Sequence, residues 1–201
     1  MLTAHALTCV RGERPLFAGV GFAVGEGEWL HVRGENGSGK TSLLRMLAGL
    51  APAETGEVRW CGRPISEDTH AYHRDLMFLG HHAAVKQELT ALENLTLAAE
   101  LDGQELAEAD AMPALRRFGL KGREDLAVRY LSAGQKRRVL LARLVTRKAR
   151  LWVLDEPFTA LDTQAVDLLA TVVSEHLGQG GVAVITSHQA VPIASGKVLE
   201  L

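Results

Sequence analysis

Long apolar runs are missing from this sequence. No hydrophobic stretch approaches the roughly 18 residues that a bilayer-spanning helix needs, so any membrane role is expected to come through a partner. The opening segment, MLTAHALTCVRGERP, has no basic start followed by an apolar stretch, which argues against a secretory signal and for a cytosolic protein. Cysteine is scarce. Cys9 and Cys61 are too few and too far apart for a disulfide framework or a metal cluster, and they read as small hydrophobes in a reducing compartment. A basic surplus is also absent: the formal net charge is −2, which speaks against a nucleic-acid partner. Neither internal repeats nor low-complexity tracts are visible.

What is present is an ordinary soluble composition. The chain has 201 residues, 47% of them hydrophobic and 23% charged, enough for one domain with a real core. Short mixed segments, Leu2 to Val10 and Val20 to Val24, read as strands on either side of the turn-rich Arg11 to Pro15. Glu28 to Arg33 is a third strand, and Gly56 to Gly62 alternates like a fourth. Helical spacing marks Thr41 to Leu50, several segments between Leu89 and Arg147, and Asp162 to Leu177. Strands return at Leu151 to Leu154, Val182 to Thr186 and Lys197 to Leu201. The pattern predicts an α/β fold, a parallel sheet with flanking helices, an N-terminal β portion and a helical insertion.

Between the strand at Glu28 and the helix at Thr41 lies Gly34-Glu35-Asn36-Gly37-Ser38-Gly39-Lys40-Thr41. It fits G-x-x-x-x-G-K-[ST], and the strand before it and helix after it are what the mechanism demands. Glycines let successive N–H groups turn inward toward phosphate oxygens. The helix start adds unpaired donors and a positive dipole end. Lys40 then reaches the β- and γ-phosphates, and the Thr41 hydroxyl can ligate Mg²⁺. The ligand expected is ATP.

Downstream, the apolar strand Leu151 to Leu154 ends in Asp155 and Glu156. Ligands of open α/β sheets sit at such carboxyl ends, so Asp155 is placed to hold Mg²⁺ and Glu156 to polarise an attacking water. His188 follows the strand Val182 to Thr186 in the same manner and is a candidate γ-phosphate contact. Ser132, in Leu131-Ser132-Ala133-Gly134-Gln135, is a plausible N-cap for a strongly helical stretch, and a capped helix start is also an anion site. The basic residues of that helix, Lys136, Arg137, Arg138 and Arg143, are expected to be mostly solvated. His70, His73, His81 and His82 are read as scattered surface histidines rather than a metal or haem site.

Taken in order, GENGSGKT, LSAGQ, LWVLDEP, TALD (Thr159 to Asp162) and TSH resemble the ATP-binding subunit of an ABC transporter across the whole chain. The resemblance implies a phosphate-loop (RecA-like) core, an N-terminal antiparallel β subdomain and a helical subdomain at about residues 85–147, all within one ATPase domain. It implies a head-to-tail pair in which Ser132, Ala133, Gly134 and Gln135 of one copy face the ATP held by the other. Glu156 then corresponds to the general base, His188 to the switch histidine, and Asp162 to the loop crossing the interface. Further segments, ERPLF, WCGRPI, FLGHH and KQELTALENL, resemble the haem-exporter ATP-binding subunits of cytochrome c maturation, the CcmA type. That family implies membrane partners of CcmB and CcmC type and a place on the cytoplasmic face of the inner membrane. It also implies coupling of ATP hydrolysis to haem export or to release of haem from its chaperone. An ABC ATPase not tied to haem, either acting on nucleic acid or the ribosome or serving as a slowly hydrolysing regulatory module, is the alternative.

Two positions depart from the wider pattern. His82 stands where a glutamine is usual, with Gln87 five residues on, and Arg11 stands where an adenine-stacking aromatic is usual. Histidine can still donate or accept a hydrogen bond, and an arginine plane can stack on a base.

Overall fold

Two apolar strands decide the central layer. Leu151–Leu154 (β7) and Val182–Thr186 (β8) are buried at every position, as strands covered on both faces are. They pair in parallel within a five-stranded sheet of order β6-β7-β8-β3-β9, in which Leu76–Leu79 is β6, Trp29–Arg33 is β3 and Lys197–Glu200 is β9. The register sets Leu79 beside Leu154, Leu154 beside Ile185, and Val32 beside Thr186. The carboxyl ends of β6, β7, β8 and β3 therefore lie along one edge, and the segments that follow them emerge together.

The computed structural model describes residues 1–80, 84–188, 190–194 and 196–201. The chain forms two compact units, one of residues 1–79, 149–157 and 173–201, the other of residues 80–148 and 158–172. The first unit also holds an antiparallel sheet of order β2-β1-β4-β5, with Leu2–Arg11 as β1, Arg14–Val24 as β2, Thr55–Trp60 as β4 and Arg63–Pro64 as β5. One apolar cluster runs from Leu7 and Phe17 of this sheet, through Leu43 and Leu47 of Lys40–Leu47 (α1), to Val153 and Val184 of the parallel sheet. Truncating any one of these leucines to alanine should cost about 2–5 kcal/mol. At the far end of α1, the Tyr72 hydroxyl donates to the Leu47 carbonyl and His73 Nε2 lies 3.0 Å from the Ala48 carbonyl. Thr69–Asp75 (α2) thus satisfies carbonyls that the helix end leaves open.

The second unit is helical: Ala91–Leu101 (α3), Glu108–Arg117 (α4), Ala133–Thr146 (α5) and the first part of Thr163–Gly178 (α6). Both α3 and α5 begin in capping boxes, Thr90 with Glu93 and Ser132 with Gln135. Buried Asn94 ties the segment before α3 to the helix, accepting from Lys86 N at 2.6 Å and donating to the Lys86 and Thr90 carbonyls.

The basic residues of α5 correct the expectation of a solvated face. Arg137 is buried, Arg138 pairs with Asp162, Arg143 faces Asp102 at 3.4 Å, and Lys136 donates to Gln87 at 2.9 Å. The helix is apolar along much of its length, with Val139, Leu140, Leu141, Ala142 and Leu144 buried, so its charges are drawn into the packing and need partners there. β6 and α2 have no counterpart among the elements expected from the sequence, and β2 starts at Arg14, six residues before the expected Val20.

His176, near the end of α6, stacks on Trp152 with ring centroids 3.8 Å apart and planes 5° from parallel. A side chain at Gly181 would overlap that imidazole, because a Cβ there would lie 2.3 Å from it. Burial holds the His176 pKa below its ordinary value, against the smaller opposite effect of its hydrogen bond to the Val182 carbonyl. The unfolded chain thus binds a proton at a higher pH than the folded chain does. The contribution to stability is complete above the unfolded value, about pH 6.5, and is lost as pH falls from there through the lower folded value. Urea midpoints should therefore drop between about pH 7.5 and pH 5.5. His176→Phe, which keeps the stack but cannot protonate, should flatten part of that slope; an unaltered slope would discount the role of His176.

Candidate nucleotide-binding site

Strand β3 delivers the chain into a tight curl. Gly34, Gly37 and Gly39 have φ of +144°, +84° and +105°, a region that side chains rarely occupy. Space excludes side chains as well: a Cβ at Gly34 would lie 2.6 Å from both the Leu201 carbonyl and Ser38 Oγ, and one at Gly39 would lie 2.9 Å from the Phe17 ring. The curl rests on the β1–β2 hairpin through Leu16 and Phe17. Ser38 Oγ is buried and has no hydrogen-bond partner among the described residues, leaving a donor open within the loop. Lys40 Nζ donates to the carbonyls of Gly34 and Glu35 at 2.8 and 2.9 Å, which folds the ammonium over the loop. Glu35, Asn36 and Gly37 are exposed at its crest.

The acids arrive from β7. Asp155 is buried, its N–H donates to the Leu79 carbonyl at 2.8 Å, and its two carboxylate oxygens reach different elements. Thr41 Oγ1, in the first turn of α1, donates to Oδ2 at 2.9 Å, and Thr186 Oγ1, at the end of β8, donates to Oδ1 at 2.7 Å. Thr186 also accepts from the Glu156 N–H at 2.8 Å. This one hydroxyl, fully buried, fixes both acids. Glu156 has φ +49°, a strained value for a residue with a Cβ and one that clusters at functional sites. Its carboxylate lies 3.5 Å from His188 Nε2 and 3.4 Å from the His188 backbone N–H, which donates to it.

Beside this group is a cleft of about 350 Å³ lined by His31, Arg33, Gly34, Ser187, His188 and Ala190. His31 is buried. Desolvation lowers its pKa, and the charge of Arg33 pushes the same way, against the opposing hydrogen bond to Ser187. Neither His31 nor Thr186 is among the functional residues expected from the sequence. The signal for each was a polar side chain inside an apolar strand, in EWLHVR and VAVIT.

A loop of inward-curling backbone, a lysine and a buried hydroxyl suits a polyphosphate. The Thr41 hydroxyl and Asp155 carboxylate, 2.9 Å apart, are hard oxygen donors of the kind Mg²⁺ takes. In the helical unit, Ser132 Oγ accepts from the Gln135 N–H at 3.2 Å, and the Gln135 side chain accepts from the Ser132 N–H at 3.0 Å. Ser132 and Ala133 are exposed at this helix start. Asp162 pairs with Arg138 and accepts from the Ala165 N–H at 2.9 Å, capping α6. Arg11 is exposed at the tip of the β1–β2 hairpin, opposite Arg14. His82 lies outside the described residues.

A family profile for ABC transporters matches residues 17–159. A "cytochrome c biogenesis ATP-binding export protein CcmA" from Dechloromonas aromatica (strain RCB) is 59% identical over 201 residues, covering 100% of this chain and 98% of its own length. The chain belongs to the ABC transporter family, in its CcmA branch. Among solved structures, an ABC transporter ATP-binding protein from Pyrococcus furiosus superposes with a TM-score of 0.87 at 24% identity, over 100% of this chain and 96% of that one. The ATP-binding cassette MJ0796, solved as a dimer in a post-hydrolysis state with ADP and Pi, superposes with a TM-score of 0.82 at 23% identity, over 94% of this chain and 88% of that one. Both likenesses speak to fold, and they agree with the α/β core and antiparallel sheet described above. As a member of the ABC ATPases the chain is an ATP-hydrolysing enzyme. Among the described residues no helix is long and apolar enough to cross a membrane.

Proposed function

We propose that this chain is the motor subunit of a membrane complex for cytochrome c maturation, in which ATP hydrolysis drives haem export or the release of haem from its chaperone. The observation that carries the reading is the Thr41–Asp155–Thr186 hydrogen-bond chain, which ties the phosphate loop to the strand ends in a chain whose relatives bear the cytochrome c biogenesis designation. The alternative of an ABC ATPase not tied to haem is not favoured by those relatives.

In this reading the whole chain acts as one ATPase domain, with residues 85–147 as its helical subdomain. Residues Gly34 to Thr41 hold the phosphates of ATP, and Arg11 and His82 take part in binding. Thr41 and Asp155 would hold Mg²⁺, which would neutralise negative charge on the phosphates of ATP. Glu156 accepts a proton from the attacking water, and His188 donates to the γ-phosphate. Ser132, Ala133, Gly134 and Gln135 complete the site of a second copy, with Asp162 beside them at the interface. The partners are that second copy and integral subunits of CcmB and CcmC type, with no nucleic acid, and the chain sits peripherally on the cytoplasmic face of the inner membrane.

Genetic complementation tests the pathway. In a bacterium lacking its own CcmA-type subunit, the wild-type chain should restore holocytochrome c, read by haem staining, and Lys40→Ala should restore none. Active ATPase without restored cytochrome would detach the chain from this pathway.

A further inference from the structure

Strand β3 has two faces with different tasks. Leu30 and Val32 belong to the apolar cluster. The alternating positions Trp29, His31 and Arg33 share the opposite face. Trp29 Nε1 donates to the Ala194 carbonyl at 2.8 Å, and a Cβ at Gly196 would overlap its indole. Arg33 Nε donates to His31 Nδ1 at 3.1 Å, and His31 Nε2 lies 3.2 Å from the Ser187 carbonyl. An arginine nitrogen only donates, so Nδ1 is the acceptor. Nε2 therefore carries the ring proton and donates to Ser187.

The carbonyl so held belongs to the peptide unit between Ser187 and His188. A planar trans peptide fixes its N–H once its C=O is fixed, on the opposite side. That N–H is the one that donates to the Glu156 carboxylate at 3.4 Å. A line of hydrogen bonds thus runs from Arg33 through His31 and the 187–188 peptide to Glu156, and His188 is carried on the same unit.

We propose that His31 is a positioning residue for ATP hydrolysis: it locks the Ser187–His188 peptide so that the backbone N–H and the His188 imidazole both face Glu156. The proposal rests on the reading of Glu156 as the base and His188 as a γ-phosphate contact. His31 touches neither nucleotide nor water in this scheme, so its loss should affect the chemical step and spare ATP binding.

Steady-state ATPase kinetics and ATP binding of the full chain provide the test. His31→Leu fills the space without a donor and should lower kcat by about 10- to 100-fold, the scale of a small misplacement of reacting groups. KM and ATP affinity should stay within about twofold, since phosphate-loop contacts are untouched. His31→Gln, whose amide can donate to Ser187 and accept from Arg33, should recover most of the rate. A merely structural role would lower Tm in both variants and leave kcat per folded molecule unchanged, which overturns the proposal. Should His31→Leu not fold, Arg33→Met carries the test: Arg33 is exposed, its loss frees the tautomer of His31, and an unchanged kcat would refute the relay. His188→Ala and Glu156→Gln run alongside. If both retain wild-type turnover, the reading of the site fails; if they are inactive while His31→Leu is not, only the positioning role fails.

Discussion

Glu156→Gln should bind ATP with undiminished affinity and hydrolyse it about a thousandfold more slowly, within the usual span for loss of a general base. The substitution changes one oxygen to an NH₂ and keeps the volume. The backbone of residue 156 is set by the Thr186 hydroxyl and by the left-handed turn at φ +49°, and neither depends on the carboxylate. What disappears is the carboxylate that, in the proposed function, accepts a proton from water beside His188. Nucleotide should therefore accumulate unhydrolysed on the protein, which a filter-binding assay of labelled ATP and ADP reads directly. Lys40→Ala should give the opposite split, with binding itself weakened, because the proposed function sets its ammonium on the phosphates. Equal turnover in Glu156→Gln and wild type would remove Glu156 from the mechanism and leave His188 without its neighbour in the scheme.

Legibility in the sequence followed contiguity. The phosphate loop is eight consecutive residues with its strand before and helix after, so it could be read whole, and φ above +80° at three glycines agrees with the reason they are there. Ser132 could be read as a cap because the capping box is completed three residues on, by Gln135. β7 and β8 announced themselves as apolar runs. Strand β6 did not: Leu76-Met77-Phe78-Leu79 is four residues long and follows directly on α2, so nothing in composition separates it from the end of a helix. The α5 arginines defy the expectation of a solvated face because charge alone does not imply exposure. Their partners, Asp102 on Arg143 and Asp162 on Arg138, are 41 and 24 residues away in sequence. Thr186 and His31 were hidden for the same reason. Each acts through a residue brought alongside by strand pairing, Asp155 in one case and Ser187 in the other, at separations of 31 and 156 residues.

The helical unit presents Ser132 and Ala133 exposed at the start of a 14-residue helix, a position where backbone donors and the helix dipole favour an anion. The same unit holds Asp162 to that helix through Arg138, and a Cβ at Gly134 would meet the Ala160 carbonyl at 3.4 Å. These parts form a surface that the proposed function assigns to the nucleotide of a second copy. Lys40→Ala and Ser132→Arg should each nearly abolish turnover when expressed alone, the first through its phosphate loop and the second by placing a bulky cation over the partner's phosphates. Losing the cap costs the fold only about 1 kcal/mol, so the second variant should remain folded. Co-expressed with different tags and purified through both, the two variants should yield mixed dimers with about half of wild-type ATPase, because two-fold pairing gathers both defects into one site and leaves the other intact. If each chain instead completed its own site, every site in the mixture would carry one defect and activity would not exceed that of the separate variants. The recovery of activity from two inactive chains is thus the measurement that separates a shared site from a self-contained one.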